Sequence, residues 1–262
     1  MEKIPMNDLL ATALKAARKG GAALREMHGK DIRIEHKGEI DLVTDADRLS
    51  EKAVIETIEA NFPDHDILSE EEGSKKKDSP FKWIIDPLDG TTNFAHGYAM
   101  FCVSIGLELN GEVILGAIFD PIADEMFSAQ KGGGAFFNGK KISVSTIGDI
   151  SNALLTTGFP YDIRRDAVDN INYFSNFCKK AQAVRRPGSA ALDLCYVAVG
   201  RFDGFWEMKL FPWDVSAGAL LVVEAGGKVT NFKGNSFDIY GREVLASNGL
   251  IHESMVDILA MS

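Results

Sequence analysis

The run Ile84-Ile85-Asp86-Pro87-Leu88-Asp89-Gly90-Thr91-Thr92-Asn93-Phe94 places two carboxylates and a hydroxyl-rich turn at the end of an apolar segment. Ile84 and Ile85 read as a buried strand. Pro87 fixes its own φ and lacks an N–H donor, which predicts that the strand stops there. Asp86 and Asp89 then flank a turn. Carboxylates forced that close repel unless a proton or a cation lies between them. Oxygen donors of this kind suit Mg2+, and the Leu88 carbonyl offers one more ligand. Gly90 and Thr91 supply backbone N–H groups without bulk, and a helical turn beginning there favours a phosphate. Metal on one side and anion donors on the other suit phosphate-ester hydrolysis. Two further acidic groups stand out from mixed surface runs: Glu70-Glu71-Glu72 after an apolar stretch, and Asp214 in Pro212-Trp213-Asp214-Val215-Ser216.

Other chemistries fit less well. A phosphatase of the haloacid dehalogenase type needs D-x-D, but position 88 is Leu. Asp45, Asp47 and Glu56 imitate an EF-hand loop, yet Ser50 replaces its central glycine and Leu49 offers no oxygen. The five histidines are scattered and read as surface or capping residues. Three cysteines, Cys102, Cys178 and Cys195, form no CxxC and argue against a disulfide framework or a zinc site.

The elements that must position these groups come from a chain of 262 residues with 45% hydrophobic and 25% charged content, enough for a sizeable core. The formal net charge is -10, so no direct nucleic-acid binding is expected; the basic runs at Lys75-Lys76-Lys77 and Arg185-Arg186 are short, and the first reads as solvated surface. Neither a signal-peptide apolar stretch nor a membrane span is recognisable, which implies a cytoplasmic protein. Apolar spacing predicts a helix over 6–28, with Gly20-Gly21 allowing close packing, and a helix after Thr44 or Asp45 whose face carries Leu49, Ala53 and Ile58. Strands occupy 83–145, with hairpin turns at Asn110-Gly111 and Asn138-Gly139. The Gly132-Gly133-Gly134 run reads as a tight turn between strands, without the spacing of a phosphate cradle. Beyond residue 150 the signals alternate: a strand in Ala153-Leu154-Leu155-Thr156-Thr157-Gly158, helices over 166–180, from Ser189, from Trp213 to Gly226-Gly227, and over 251–261. The pattern is an α+β chain, antiparallel-rich over 1–150 and alternating over 151–262.

Taken together, Ser69-Glu70-Glu71-Glu72-Gly73, the run from Trp83 to Gly97, Pro212–Gly227, and further segments at 38–47, 131–145 and 185–208 resemble the inositol monophosphatase family in order and spacing. The resemblance spans nearly the whole chain. It implies one layered αβαβα sandwich over 1–262, of the inositol monophosphatase and fructose-1,6-bisphosphatase type, and a homodimer. It implies Mg2+-dependent, Li+-sensitive hydrolysis of a small phosphate ester, with roughly two or three Mg2+ ions. Glu70, Asp86, the Leu88 carbonyl, Asp89 and Asp214 match metal ligands. Glu70 also matches the residue that, through a neighbouring site, holds the nucleophilic water, and Thr91 and Asp47 match the pair that orients and helps deprotonate it. Asp89, Gly90, Thr91, Gly188, Ser189, Ala190, Glu207 and Asp214 match substrate contacts, and Lys37 matches a basic residue near an outer metal or phosphate. Relatives acting on 3′-phosphoadenosine phosphates usually carry Thr-Lys-Glu-Phe after Asp-Gly; Thr91-Thr92-Asn93-Phe94 favours inositol phosphates. Fructose 1,6-bisphosphate and histidinol phosphate stay open. So does a different class, a protein binding the transcription machinery with secondary phosphatase activity, as in some bacterial relatives.

Overall fold

The computed structural model describes residues 5–30, 34–36 and 42–261. Helix α1 (Met6–Met27) precedes a two-stranded ribbon, β1 (Ile34–His36) with β2 (Leu42–Thr44), which leads into α2 (Asp45–Glu59). Strands β3 (Asp66–Ser69), β4 (Gly73–Lys75), β5 (Phe81–Asp89), β6 (Cys102–Leu109), β7 (Glu112–Asp120), β8 (Glu125–Gln130), β9 (Gly134–Phe137) and β10 (Lys140–Lys141) form one sheet. A five-residue turn of helix, α3 (Thr91–Ala95), follows β5. The sheet order is β10-β9-β8-β7-β6-β5-β3-β4, antiparallel except where β3 runs parallel to β5.

The second sheet contains β11 (Leu154–Thr157), β12 (Ala183–Arg185), β13 (Gly204–Met208), β14 (Lys228–Thr230) and β15 (Glu243–Ser247) in the order β12-β11-β13-β15-β14. Its helices are α4 (Ile171–Cys178), α5 (Ala190–Ala198), α6 (Pro212–Glu224) and α7 (His252–Leu259). Three apolar clusters separate five layers. Leu9, Ala13, Val54 and Ile58 of α1 and α2 pack on Ile85, Val103 and Leu115 of the first sheet. Leu194, Val197, Leu220 and Leu221 of α5 and α6 fill the space between the sheets. Phe177, Met255 and Ile258 of α4 and α7 cover Trp206 and Leu245. This is the layered αβαβα sandwich, and each central strand is apolar on both faces because both faces are covered.

Local chemistry explains the turns. Asn110 and Gly111 have φ of 51° and 86°, the doubly positive pair that a two-residue hairpin requires. The triple-glycine turn gives its Gly132 and Gly134 amides to the two oxygens of Glu224 at 2.7 and 2.8 Å, so a carboxylate of α6 occupies it.

Several expectations need correction. The strand does not stop at Pro87. It continues to Asp89 through a bulge, in which Asp86 pairs with Ser104 and Asp89 with Cys102, three steps against two. Proline is tolerated there because the extra residue leaves the ladder anyway. Helix α4 starts at 171, not 166, because Asp166 and Asp169 accept the Val168 and Ile171 amides in local turns. The α2 face is only partly as expected: Ile58 is buried, but Leu49 is 47% exposed, whereas Asp47, Ser50 and Glu51 are buried. Two histidines are internal rather than superficial. His65 accepts from the Trp83 indole at 3.1 Å, and His252 bonds Thr230 and Ser247 at 2.9 and 2.8 Å, with burial lowering its pKa to about 4.

Helix α6 lies unusually close to the first sheet. A Cβ on Gly116 would meet the Ala217 carbonyl oxygen at 2.8 Å, and one on Gly106 would strike Ser216. Gly116→Ala should therefore cost about 1–3 kcal/mol by overpacking. Chemical denaturation of the purified variant measures the cost, and its metal affinity should fall as well, because α6 carries Asp214.

Candidate active site

Asp86, Asp89 and Asp214 come together from two elements. Their carboxylate oxygens lie within 4.8 Å of one another, the tightest acidic cluster among the described residues. In a regular strand, residues three apart face opposite sides. The extra residue of the β5 bulge resets this alternation and turns Asp86 and Asp89 to the same side. Each aspartate is then fixed by its own donors. Asp86 Oδ1 accepts the Leu88 amide within the bulge at 3.0 Å. Asp89 Oδ2 accepts the Ser189 hydroxyl at 2.5 Å and the Ala191 amide at 2.8 Å, across to the first turn of α5. Asp214, in the first turn of α6, accepts the Phe211 amide at 2.7 Å.

The electrostatics follow from burial and like charge. Burial, then the charges of Glu70, Asp89 and Asp214, push the Asp86 carboxyl well above the usual carboxylate range. Asp214 moves the same way, by burial and by Asp89. Asp89 is raised by burial, opposed by its hydrogen bonds from Ser189, Ala191, Ala190 and Cys102. Glu207 on β13 rises to about 8, through burial and the Asp89 charge, with Arg186 opposing. An acidic cluster this deeply set is expensive to keep ionised, and hard oxygen donors that close fit a divalent metal.

Glu70 follows β3 directly. Its amide donates to Ile85 O at 3.2 Å, one residue before Asp86, and its charge acts on Asp86 and Asp214, although it stands outside the tight triad. Asp47 is fully buried and accepts the Thr44 amide and hydroxyl at 2.7 and 2.6 Å, closing the N-terminus of α2. The Thr91 hydroxyl lies 3.2 Å from Asp47 Oδ1 and 3.0 Å from the Leu88 carbonyl, and both interactions need its single proton. Gly90 has φ 96°, and a Cβ there would meet the Met100 carbonyl oxygen at 2.9 Å. Ser189 is buried and gives its hydroxyl to Asp89, with Gly188 and Ala190 on either side. Lys37 lies outside the described residues.

Three supports escaped the sequence reading. The Asn93 amide donates to Met100 O at 2.7 Å and Pro187 O at 2.9 Å, strapping the turn after β5 to the segment before α5. Ser50 donates to Pro87 O at 2.7 Å. Glu51 accepts from Ser69 and from the Glu71 and Glu72 amides. The signal for Ser50 and Glu51 was polar residues at i+3 and i+4 from Asp47, which apolar periodicity passes over.

Comparison with known proteins accords with this geometry. The profile described as "Inositol monophosphatase family" matches residues 6–260. The chain is 44% identical to the protein named inositol-1-monophosphatase of Synechocystis sp., over 96% of this chain and 88% of that one. It is 42% identical to Nus factor SuhB of Pasteurella multocida, over 95% and 94%. The solved structure of inositol monophosphatase from Anabaena (Nostoc) sp. superimposes with a TM-score of 0.89 at 44% identity, covering 98% of this chain and 96% of that one.

A raised carboxyl pKa means that the folded state holds protons which the unfolded state has released. Metal-free stability from this cluster is therefore present at low pH and is lost as pH rises from the ordinary carboxylate range through the raised values. Asp86→Asn should raise the metal-free Tm at alkaline pH, by roughly 2–4 °C for each kcal/mol relieved. The gain should shrink on acidification. Added Mg2+ should raise the wild-type Tm and leave the variant nearly unmoved. Thermal melts with chelator or with Mg2+, across pH, test both effects.

Proposed function

The chain belongs to the inositol monophosphatase family, and from that premise we propose that it is a Mg2+-dependent phosphomonoesterase acting on inositol 1-phosphate or a closely related polyol phosphate. The observation that carries this is the convergence of Asp86, Asp89 and Asp214 beside the Asp47–Thr91 pair. Asp86, Asp89, Asp214, Glu70 and the Leu88 carbonyl would hold the metal. Bound there, Mg2+ supplies charge neutralisation for the phosphoryl group and leaving oxygen, and acidity for water.

The chain's own residues supply orientation and proton transfer. Thr91 Oγ1 has a single proton to give, to Asp47 or to Leu88 O, so its lone pairs are free to accept from an attacking water. A proton accepted at Thr91 Oγ1 is matched by the release of Thr91's own proton toward Asp47 Oδ1, and Asp47 is kept in place by Thr44. The pair acts as a general base assembled from a weak one and a buried carboxylate. Gly90, at φ 96° and against the Met100 carbonyl oxygen, permits the turn that no side chain would fit, and the Gly90 and Thr91 amides would face the phosphate. Glu207, whose carboxyl pKa is pushed up to about 8 by burial and the Asp89 charge, would contact the alcohol part of the ester. Water attacks phosphorus directly, and no enzyme nucleophile is needed.

A panel of inositol 1-phosphate, fructose 1,6-bisphosphate, histidinol phosphate and 3′-phosphoadenosine 5′-phosphate tests the substrate. Phosphate release above the metal-free control should be greatest with inositol 1-phosphate; no release from any member defeats the proposal. Thr91→Ala should lower kcat by about 10²-fold or more, with KM nearly unchanged. The similarity to a relative named as a Nus factor supports a second reading, in which this chain also binds a transcription-machinery partner. Asp86→Asn separates the two, since a binding role survives the loss of hydrolysis.

A further inference from the structure

Helix α2 is buried along a polar face. Asp47, Ser50 and Glu51 stand at i, i+3 and i+4, which is one side of a helix, and each is no more than 2% exposed. Each is bonded to a different stretch of the site. Asp47 meets Thr91. Ser50 Oγ donates at 2.7 Å to the carbonyl of Pro87, inside the bulge that aligns Asp86 with Asp89. Glu51 Oε1 accepts from the Ser69 hydroxyl, the Glu71 amide at 3.2 Å and the Glu72 amide at 3.1 Å. The remaining amide of that turn, on Glu70, goes to Ile85 O. The residues around Glu70 are thus held on one side by α2 and on the other by β5.

We propose that Ser50 and Glu51 are positioning residues for metal binding: Glu51 fixes the turn that presents Glu70, Ser50 fixes the bulge that presents Asp86 and Asp89, and α2 sets the distance between them. This rests on the reading of those acids as metal ligands. A purely structural role would be served without a carboxylate. Glu51 is instead an acid placed under the acidic run Glu70-Glu71-Glu72, an arrangement that raises its pKa through burial and is tolerated because three donors converge on it. Removing a residue that orients a metal ligand typically weakens metal affinity 10–100-fold.

The test uses full-length, metal-free protein with Mg2+ as the probe, titrated by calorimetry. Glu51→Gln should bind Mg2+ at least about 10-fold more weakly. Amide exchange at Glu71 and Glu72 should quicken, while Tm stays close to wild type. In turnover, the Mg2+ half-saturation should rise while the substrate KM holds. Ser50→Ala, a smaller change, should weaken Mg2+ binding severalfold without quickening exchange at Glu71 and Glu72, and it serves alone if Glu51→Gln fails to fold. Glu70→Gln is the control. Wild-type Mg2+ affinity in Glu51→Gln or in Ser50→Ala, beside a weakened Glu70→Gln, overturns the positioning role of that residue. Wild-type affinity in Glu70→Gln overturns the reading of Glu70 as a ligand, and the role of Glu51 with it. Affinity losses that merely track a fall in Tm reduce both residues to packing and also overturn the proposal.

Discussion

Three aspartate carboxylates held within 4.8 Å of one another, in a buried setting, are the constraint on which the rest of the molecule depends. Like charges at that separation push apart, and the folded chain must hold them against that push. It does so with backbone. Asp86 and Asp89 are carried by a central strand paired on both sides, and Asp214 by the first turn of a helix lying on the same sheet. Gly106 and Gly116 let that helix approach closely enough for its aspartate to reach the strand end. The glycines serve the site through packing, although they touch nothing chemical.

The same constraint explains why the surroundings are polar. Ser189 and the first amides of α5 hold Asp89, Phe211 holds Asp214, and the bulge holds Asp86. These bonds stabilise the charged forms but do not cancel the cost of burial, to which like charge adds at Asp86 and Asp214, so the pKa values of all three stay raised. Stability is surrendered at the site and recovered in the apolar layers. A bound cation would reverse the sign of the local interaction, which makes metal binding and folding linked equilibria here.

Much of the molecule was legible in the chain. Asn110-Gly111 and Asn138-Gly139 marked hairpins because both positions take positive φ. Gly226-Gly227 closed α6, and Ser189 capped α5. The acidic residues of the site stood out because they interrupted apolar runs. Among the features misread, two show the physical reason most directly. Pro87 looked like a strand end, since proline ordinarily leaves the ladder; inside a bulge it needs no ladder partner. On α2 the periodicity pointed to Leu49, Ala53 and Ile58; Ile58 is in the core, but Leu49 faces out and Asp47, Ser50 and Glu51 face inward. A search for apolar stripes passes over buried polar residues, and here Asp47, Ser50 and Glu51 are buried beside Val54 and Ile58 because Thr91 and two loops bond to them.

By itself the sequence determined which groups are available for chemistry: the acids, the hydroxyls, the glycine that frees the turn, and the elements that carry them. Those depend on local preference and on residue type, and both are written along the chain. Only the tertiary structure decided which of them meet. Asp214 lies more than a hundred residues from Asp86, and nothing in local propensity fixes that approach. It comes from close helix-on-sheet packing at Gly106 and Gly116, and from one extra residue in β5 that turns two aspartates to the same side.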